Sequence, residues 1–223
     1  MEKIKILFED EFLMIDEKPT GLTTTKEKKN EMMTLEDELR LIRPNGLPRN
    51  GIVHRLDKGT SGLVLVAKQD FCLTNLKNQF KNREVVKKYI CLVGGNASFD
   101  GEIKMPIGRS KFSFGKFGIN IEGKDAWTLF RLIKKYKKDG KCFSLLEVTL
   151  KTGRTHQIRV HMSYLGWPLV GDRLYGGDDF FLKRPFLHAA FIQFKHPKSE
   201  DIINFESKLT DDLLVVLNKY EEA

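Results

Sequence analysis

Residues 54 to 62 read His54-Arg55-Leu56-Asp57-Lys58-Gly59-Thr60-Ser61-Gly62 and run straight into the apolar stretch Leu63-Val64-Leu65-Val66-Ala67. An unbroken aliphatic run of this length is a buried strand, and the glycines and small hydroxyl residues before it form a tight turn. Whatever fold the chain adopts must enclose that strand and place the turn at its end. The turn carries one carboxylate, Asp57, with Arg55 two residues before it and Lys58 right after it. Its small residues let a ligand approach the backbone. An isolated Asp in such a stretch often does no more than cap the turn through its side chain, but the flanking charges make the stretch read as a site.

The 223 residues include 38 Lys and Arg against 30 Asp and Glu, a formal net charge of +8, with an isoelectric point near 9.3. Such a balance draws a protein toward a polyanion, although most of the charges are expected to be solvated surface. A hydrophobic content of 41% supplies a real core, and the length suits one large domain or two lobes on a common sheet. Glu2, Lys3, Lys5, Glu9 and Asp10 interrupt the N-terminal apolar residues, so no signal-peptide core can be drawn. No apolar run approaches the roughly 18 residues of a membrane span. A cytoplasmic protein without membrane contact is expected. Cys72, Cys91 and Cys142 are odd in number and far apart, without Cys or His at metal-ligand spacing, which favours reduced structural thiols over disulfides or zinc ligands.

Strand character is found at Ile4 to Phe8, Phe12 to Asp16, Leu63 to Ala67, Lys87 to Val93, Trp127 to Ile133 and Phe143 to Leu150. Helices are expected at Thr34 to Ile42, where Thr34 and Asp37 have capping-box spacing, at Phe71 to Lys81, at Thr155 to Leu165, and at Asp211 to Tyr220 behind Thr210. Strands and helices do not alternate regularly, which argues for an α+β fold over a doubly wound one. In the third helix Thr155 is a candidate N-cap, Ile158, Met162 and Leu165 mark an apolar face, and Gly166 marks the stop. Its polar residues are then expected on another face, with Arg159 able to reach a carboxylate brought in from elsewhere in the fold.

As a whole string, HRLDKGTSG resembles the catalytic motif of the RluA-like pseudouridine synthases, which act on ribosomal and transfer RNA. Three further segments resemble that family in the same order. Phe12 to Leu22 (FLMIDEKPTGL) is similar to its opening strand and Lys-Pro-x-Gly turn, Val85 to Gly94 (VVKKYICLVG) to its Lys-x-Tyr strand through Lys87 and Tyr89, and Gly153 to Gly176 (GRTHQIRVHMSYLGWPLVGDRLYG) to its third motif, followed by Leu187-His188-Ala189. The resemblance covers about residues 10 to 195. It implies an α+β fold with a mixed, mainly antiparallel central sheet flanked by helices and loops, and residues 1 to 223 forming a single catalytic domain, with two lobes on one sheet as a variant.

The reaction so implied isomerises a uridine already in RNA to pseudouridine, with nothing consumed. The absence of a phosphate loop, dinucleotide fingerprint or metal-ligand cluster in the sequence agrees with an expectation of no cofactor and no metal. The resemblance makes Asp57 the catalytic carboxylate, Arg159 the guanidinium that keeps it charged and aimed, and Tyr89 the ring that stacks under the uracil and helps remove the carbon-5 proton. Arg55 is similar to the residue that fills the gap left by a flipped base. Without the resemblance, Tyr89 reads as a packing tyrosine in a strand and Arg159 as a surface arginine. His54 is expected to hydrogen-bond within the turn, and Ile158 and Leu187 to line the uracil pocket.

Lys58, Thr60, Lys87, Arg109 and Arg154 complete the residues expected to contact RNA, with Arg173 and Arg184 as further phosphate candidates by charge and position. The segment Gly108 to Lys124 interleaves Arg109, Lys111, Lys116 and Lys124 with Phe112, Phe114 and Phe117. This reads equally as an RNA-contacting hairpin and as an ordinary hairpin with its phenylalanines facing the core. The chain departs from the family at Leu22-Thr23-Thr24-Thr25, where many relatives carry a His-Pro turn, and the resemblance starts too early to leave room for an N-terminal RNA-binding domain. RNA, as a stem-loop, is the expected partner, and no obligate protein partner is inferred. Two other classes remain open: a non-catalytic RNA-binding or RNA-folding factor, and a metal-dependent hydrolase using His54, Asp57, Asp172, Asp178 and Asp179.

Overall fold

The computed structural model describes residues 4–26, 33–110, 115–178 and 182–223. In chain order these form β1 (Lys5–Glu9), β2 (Leu13–Lys18), α1 (Leu35–Ile42), β3 (Ser61–Ala67), α2 (Asp70–Lys81), β4 (Val86–Gly94), β5 (Gly101–Lys104), β6 (Ile107–Arg109), β7 (Phe117–Ile119), β8 (Trp127–Lys138), β9 (Lys141–Leu150), α3 (Gln157–Tyr164), β10 (Leu187–Lys195), β11 (Ile202–Glu206), α4 (Asp211–Leu217) and β12 (Glu221–Glu222). The fold is α+β with mainly antiparallel strand pairing. Two compact units are built from this chain, one from Met1–Val86 with Ala189–Lys208 and the other from Lys87–His188 with Leu209–Ala223.

In the first unit β2 pairs antiparallel with both β1 and β3, and β10 pairs antiparallel with β11. All seven residues of β3 are buried, as the unbroken apolar run requires. One core gathers Leu13 and Ile15 of β2, Leu63, Leu65 and Ala67 of β3, Cys72, Leu73 and Leu76 of α2, and Ile192 and Phe194 of β10. The alternate β2 residues Met14, Asp16 and Lys18 are buried as well. Lys18 is satisfied there, its ammonium donating to the Pro19 and Leu22 carbonyls at 2.9 and 2.7 Å. Asp16 is not: neither carboxylate oxygen has a hydrogen-bond partner among the described residues, and burial, with the charge of Glu9 second, pushes its pKa up to about 7. α1 begins at the expected capping box, with Thr34 Oγ1 accepting from Asp37 N and the Asp37 carboxylate accepting from Thr34 N.

In the second unit β9 lies between β4 and β8, both antiparallel to it. β8 runs five residues beyond the expected end at Ile133. A bulge between Leu132 and Lys134 shifts the register, and the polar run that follows is paired because Asp139 (φ 49°) and Gly140 (φ 72°) turn the chain in the left-handed region suited to a two-residue hairpin. α4 packs Leu213 and Val216 with Leu92, Tyr136 and Phe143. β6 and β7 form a separate two-stranded hairpin. The second half of the chain also contains β10 and β11, which the sequence patterns did not single out.

α3 departs from the expected amphipathic helix. Six consecutive residues, Gln157 to Met162, are buried, and the residue before the helix is His156 at φ 57° in place of a Thr155 cap. The polar ones are satisfied internally. Gln157 Nε2 donates to the Trp127 carbonyl and to Thr128 Oγ1, while its Oε1 accepts from Thr152 Oγ1 and Arg154 N. Having accepted from Gln157, the Thr128 hydroxyl gives its own proton to His161 Nδ1 at 2.8 Å, which leaves His161 Nε2–H to donate to the Met105 carbonyl at 3.0 Å. Burial accordingly lowers the His161 pKa and keeps the ring neutral.

Candidate active site

The HRLDKGTSG turn belongs to the first unit and is fastened along its length. Thr60 N–H donates to the Asp57 carbonyl at 2.9 Å and closes the turn, and Gly21 N–H donates to the Lys58 carbonyl at 2.8 Å. Thr20 Oγ1 donates to the Gly59 carbonyl at 3.3 Å. Thr24, in the Leu22-Thr23-Thr24-Thr25 stretch, clasps Leu56 from both sides: its hydroxyl donates to the Leu56 carbonyl at 2.7 Å and accepts from the Leu56 N–H at 3.1 Å. At the far end Gly62, with φ 110°, lies so close to the Ala189 backbone that a Cβ would overlap it. His54 reaches outside the turn. Its Nε2 accepts the Leu65 N–H of β3 at 3.0 Å, and its ring stacks on Phe80 at 5.0 Å. Within this frame Arg55 and Lys58 are exposed, Asp57 is half-buried and Thr60 is buried.

The other expected site residues belong to the second unit. Tyr89 is buried on β4 opposite Val148, and Lys87, two residues earlier, has its pKa pushed down to about 8 by burial. Ile158 is buried on α3 and Leu187 at the start of β10. Arg154 is tied by Nε to the Asp125 carbonyl at 2.8 Å. Arg109 is exposed on β6. Lys111, Phe112 and Phe114 lie outside the described residues. Arg184 is not a phosphate ligand: it is buried, and its Nε and Nη2 grip the Asp212 carboxylate at 2.7 and 2.9 Å.

Arg159 is 8% exposed, in contrast to the surface arginine that its helix alone would suggest. Its Nε and Nη2 form a bidentate pair with the Asp172 carboxylate at 2.7 and 2.9 Å, and its guanidinium lies 4.9 Å from the centroid of the Tyr175 ring. Asp172 uses one edge of the guanidinium, so the Nη1 edge is not taken up by that carboxylate. Asp172 thus belongs to an ion pair with Arg159, and Asp178 pairs with Lys141 at 3.9 Å; Asp179 lies outside the described residues. Among the described residues no group of three His, Cys, Asp or Glu could hold a metal ion, and no helix is long and apolar enough to cross a membrane. Tyr175 and Thr24 were not singled out in the sequence, and Asp172 was read only as part of an acidic metal cluster, although Asp172 and Tyr175 both fall in the GDRLYG stretch of the third motif.

From 13 to 164 the chain matches the family model described as RNA pseudouridylate synthase. An uncharacterized RNA pseudouridine synthase of Bacillus subtilis, YlyB, is 39% identical over 219 residues, covering 94% of this chain and 70% of that protein. Ribosomal large subunit pseudouridine synthase D of Nitrosomonas europaea is 39% identical over 225 residues, covering 96% of this chain and 64% of that protein. Among solved structures, human RNA Pseudouridylate Synthase Domain Containing 1 superposes with a TM-score of 0.79 at 27% identity, over 100% of this chain and 89% of the other. Human RNA Pseudouridylate Synthase Domain Containing 4 shares the fold, with a TM-score of 0.75 at 22% identity over 97% and 93% of the two chains.

The mainly antiparallel α+β architecture is that of a pseudouridine synthase domain. The chain belongs to the RluA-like family of RNA pseudouridine synthases, isomerases that work on uridine within RNA.

Proposed function

We propose that this protein converts specific uridines of ribosomal or transfer RNA to pseudouridine, with Asp57 as its catalytic carboxylate. The observation that carries the reading is the family match over residues 13–164, which spans Asp57, Tyr89 and Arg159 together. The relative from Nitrosomonas europaea is named for the ribosomal large subunit, which favours ribosomal RNA among the two. In the reaction the bond between the ribose carbon 1′ and the uracil nitrogen 1 breaks, the uracil turns in place, and carbon 5 bonds to the same ribose carbon. Carbon 5 loses a proton and nitrogen 1 takes one, so nothing else is needed.

Each residue has a role that its chemistry supports. Asp57 starts the reaction at the ribose, by attack or by proton removal. Arg159 keeps that carboxylate charged and directed, since a guanidinium holds its charge under all working conditions and offers paired N–H donors. Tyr89 supplies a flat ring under the uracil and helps remove the carbon-5 proton. Arg55 fills the space left when the uridine leaves the stack, offsetting part of an unstacking cost of a few kcal/mol. Lys58, Arg109 and Arg154 attract phosphates. His54, Thr60 and Lys87 support the RNA-facing surface from within the turn and β4, and Ile158 and Leu187 line the base pocket.

The test is release of tritium from RNA labelled at carbon 5 of uridine. The wild-type protein is expected to release it from ribosomal or transfer RNA isolated from cells lacking the gene, and Asp57→Ala to lower release by about 10³-fold or more. Full activity of Asp57→Ala would remove the carboxylate from the mechanism. Complementation of a deletion strain by Asp57→Asn, with no pseudouridine lost in the deletion, would mark a non-catalytic RNA-binding factor instead.

A further inference from the structure

Tyr175 is absent from the residues expected to act on the base, yet three parts of the second unit meet at it. Its hydroxyl accepts the Phe117 N–H of β7 at 3.2 Å and lies 2.9 Å from Nδ1 of His156, the residue before α3. The hydroxyl thus ties the start of β7 to the residue that opens α3 through a single oxygen. The Phe117 and Tyr175 rings each meet the His156 ring edge-on, at 5.8 and 5.7 Å. The Tyr175 ring, 5% exposed, also takes two cations: the Arg159 guanidinium at 4.9 Å and the Lys116 ammonium at 5.1 Å from its centroid. Asp172, 1% exposed, holds the same guanidinium from the side.

Two like charges share one ring, and they differ in surroundings. Arg159 is buried against a carboxylate, whereas Lys116 sits at the loop end of the β6–β7 pairing, beside β6 whose Arg109 is exposed. A phosphate that neutralises Lys116 removes its repulsion on Arg159, and in a water-poor setting that repulsion is felt across several ångströms. The cation–ring attraction, stronger where water is excluded, then acts on Arg159 alone.

We propose that Tyr175 is a positioning residue that joins the β6–β7 hairpin to Arg159, so that RNA phosphate taken up by Lys116 and Arg109 sets the orientation in which Arg159 is held. The proposal rests on the reading of Arg159 as a site arginine. Tyr175→Phe keeps the ring and loses both hydrogen bonds; Tyr175→Leu loses the ring too. The two halves of the link are thereby separated.

The experiment follows the Nε–H signal of Arg159 by nitrogen-15 magnetic resonance, assigned through Arg159→Lys, while a uridine-containing RNA stem-loop is added. RNA is expected to shift that signal in the wild-type protein and to shift it by less than half as much in Tyr175→Phe and in Lys116→Gln, at RNA concentrations that saturate each protein. In turnover, Tyr175→Phe is expected to raise KM about tenfold with kcat within about twofold, and Tyr175→Leu to lower kcat about tenfold or more. Equal RNA-induced shifts in wild type and both variants overturn the proposal, as does a loss confined to the folded fraction with KM unchanged, which is what a merely structural tyrosine gives. If Tyr175→Phe does not fold, the shift in Lys116→Gln decides. A wild-type protein whose Arg159 signal responds to RNA but which releases no tritium overturns the assignment of Asp57 and leaves the link standing.

Discussion

Asp16 shows how one residue can work against the fold that holds it. In the sequence it closes a strand pattern and is not separable from its neighbours Glu17 and Lys18. In the structure it has no exposure and neither oxygen is hydrogen-bonded among the described residues, so ionisation there is penalised by lost hydration with no compensating donor. Its folded-state pKa of about 7 lies above the ordinary 3.8. Between those values the folded chain retains a proton that the unfolded chain has released, so stability is full below 3.8 and falls as pH rises toward 7. The loss amounts to about 4 kcal/mol. Urea unfolding at a series of pH values is expected to show this decline in the wild type and its absence in Asp16→Asn. Parallel curves for the two proteins would place the carboxylate in a wetter setting. Arg159 is the contrasting case: a buried charge with a bidentate carboxylate and a ring beside it, legible in the sequence as a helix arginine but not as a buried one.

The Asp57 turn behaves as an element assembled from two separated stretches. Thr24 supplies both a donor and an acceptor to Leu56, the residue just before Asp57. Thr24→Val keeps the shape and removes both bonds, leaving buried Leu56 backbone groups without that partner. A loss of about 2 kcal/mol is expected, with activity falling further than stability, while Thr24→Ser retains both. Thermal unfolding alongside tritium release checks the difference; Thr24→Val with wild-type turnover would show that the clasp does not aim the turn. The sequence reads Thr24 only as a departure from a His-Pro turn, because a contact across 32 residues leaves no local pattern. The same limit explains α3. Its apolar positions were legible, but burial of Gln157 and His161 depends on Thr128 of β8 and Met105, between β5 and β6, arriving as partners.

Across the whole molecule the net charge of +8 is the property that most directly governs encounter with RNA. Affinity for an RNA stem-loop is expected to fall linearly on logarithmic axes as salt rises, with a slope of about −3 if roughly four phosphates are engaged. Arg109→Ala should make that slope shallower by about 1 and weaken binding similarly for all sequences. Fluorescence anisotropy over a salt series measures both; a flat response would mean that phosphates do not dominate binding. Not every basic residue belongs to this surface, since Arg184 is consumed by Asp212 and Lys18 by two carbonyls.

The sequence alone determined the family, the α+β class, the buried strand β3 and the capping box of α1, and it pointed to Asp57, Tyr89 and Arg159 as candidates, because each is written in a contiguous stretch whose meaning depends on near neighbours. Tertiary structure alone decided what surrounds those residues. Thr24 on Leu56, Asp172 and Tyr175 on Arg159, and the unpartnered Asp16 all depend on which distant groups arrive with donors, acceptors or ring faces. Hydrogen bonds and ion pairs are short-ranged in space and indifferent to separation along the chain, so folding chooses these partners and the local sequence does not announce them.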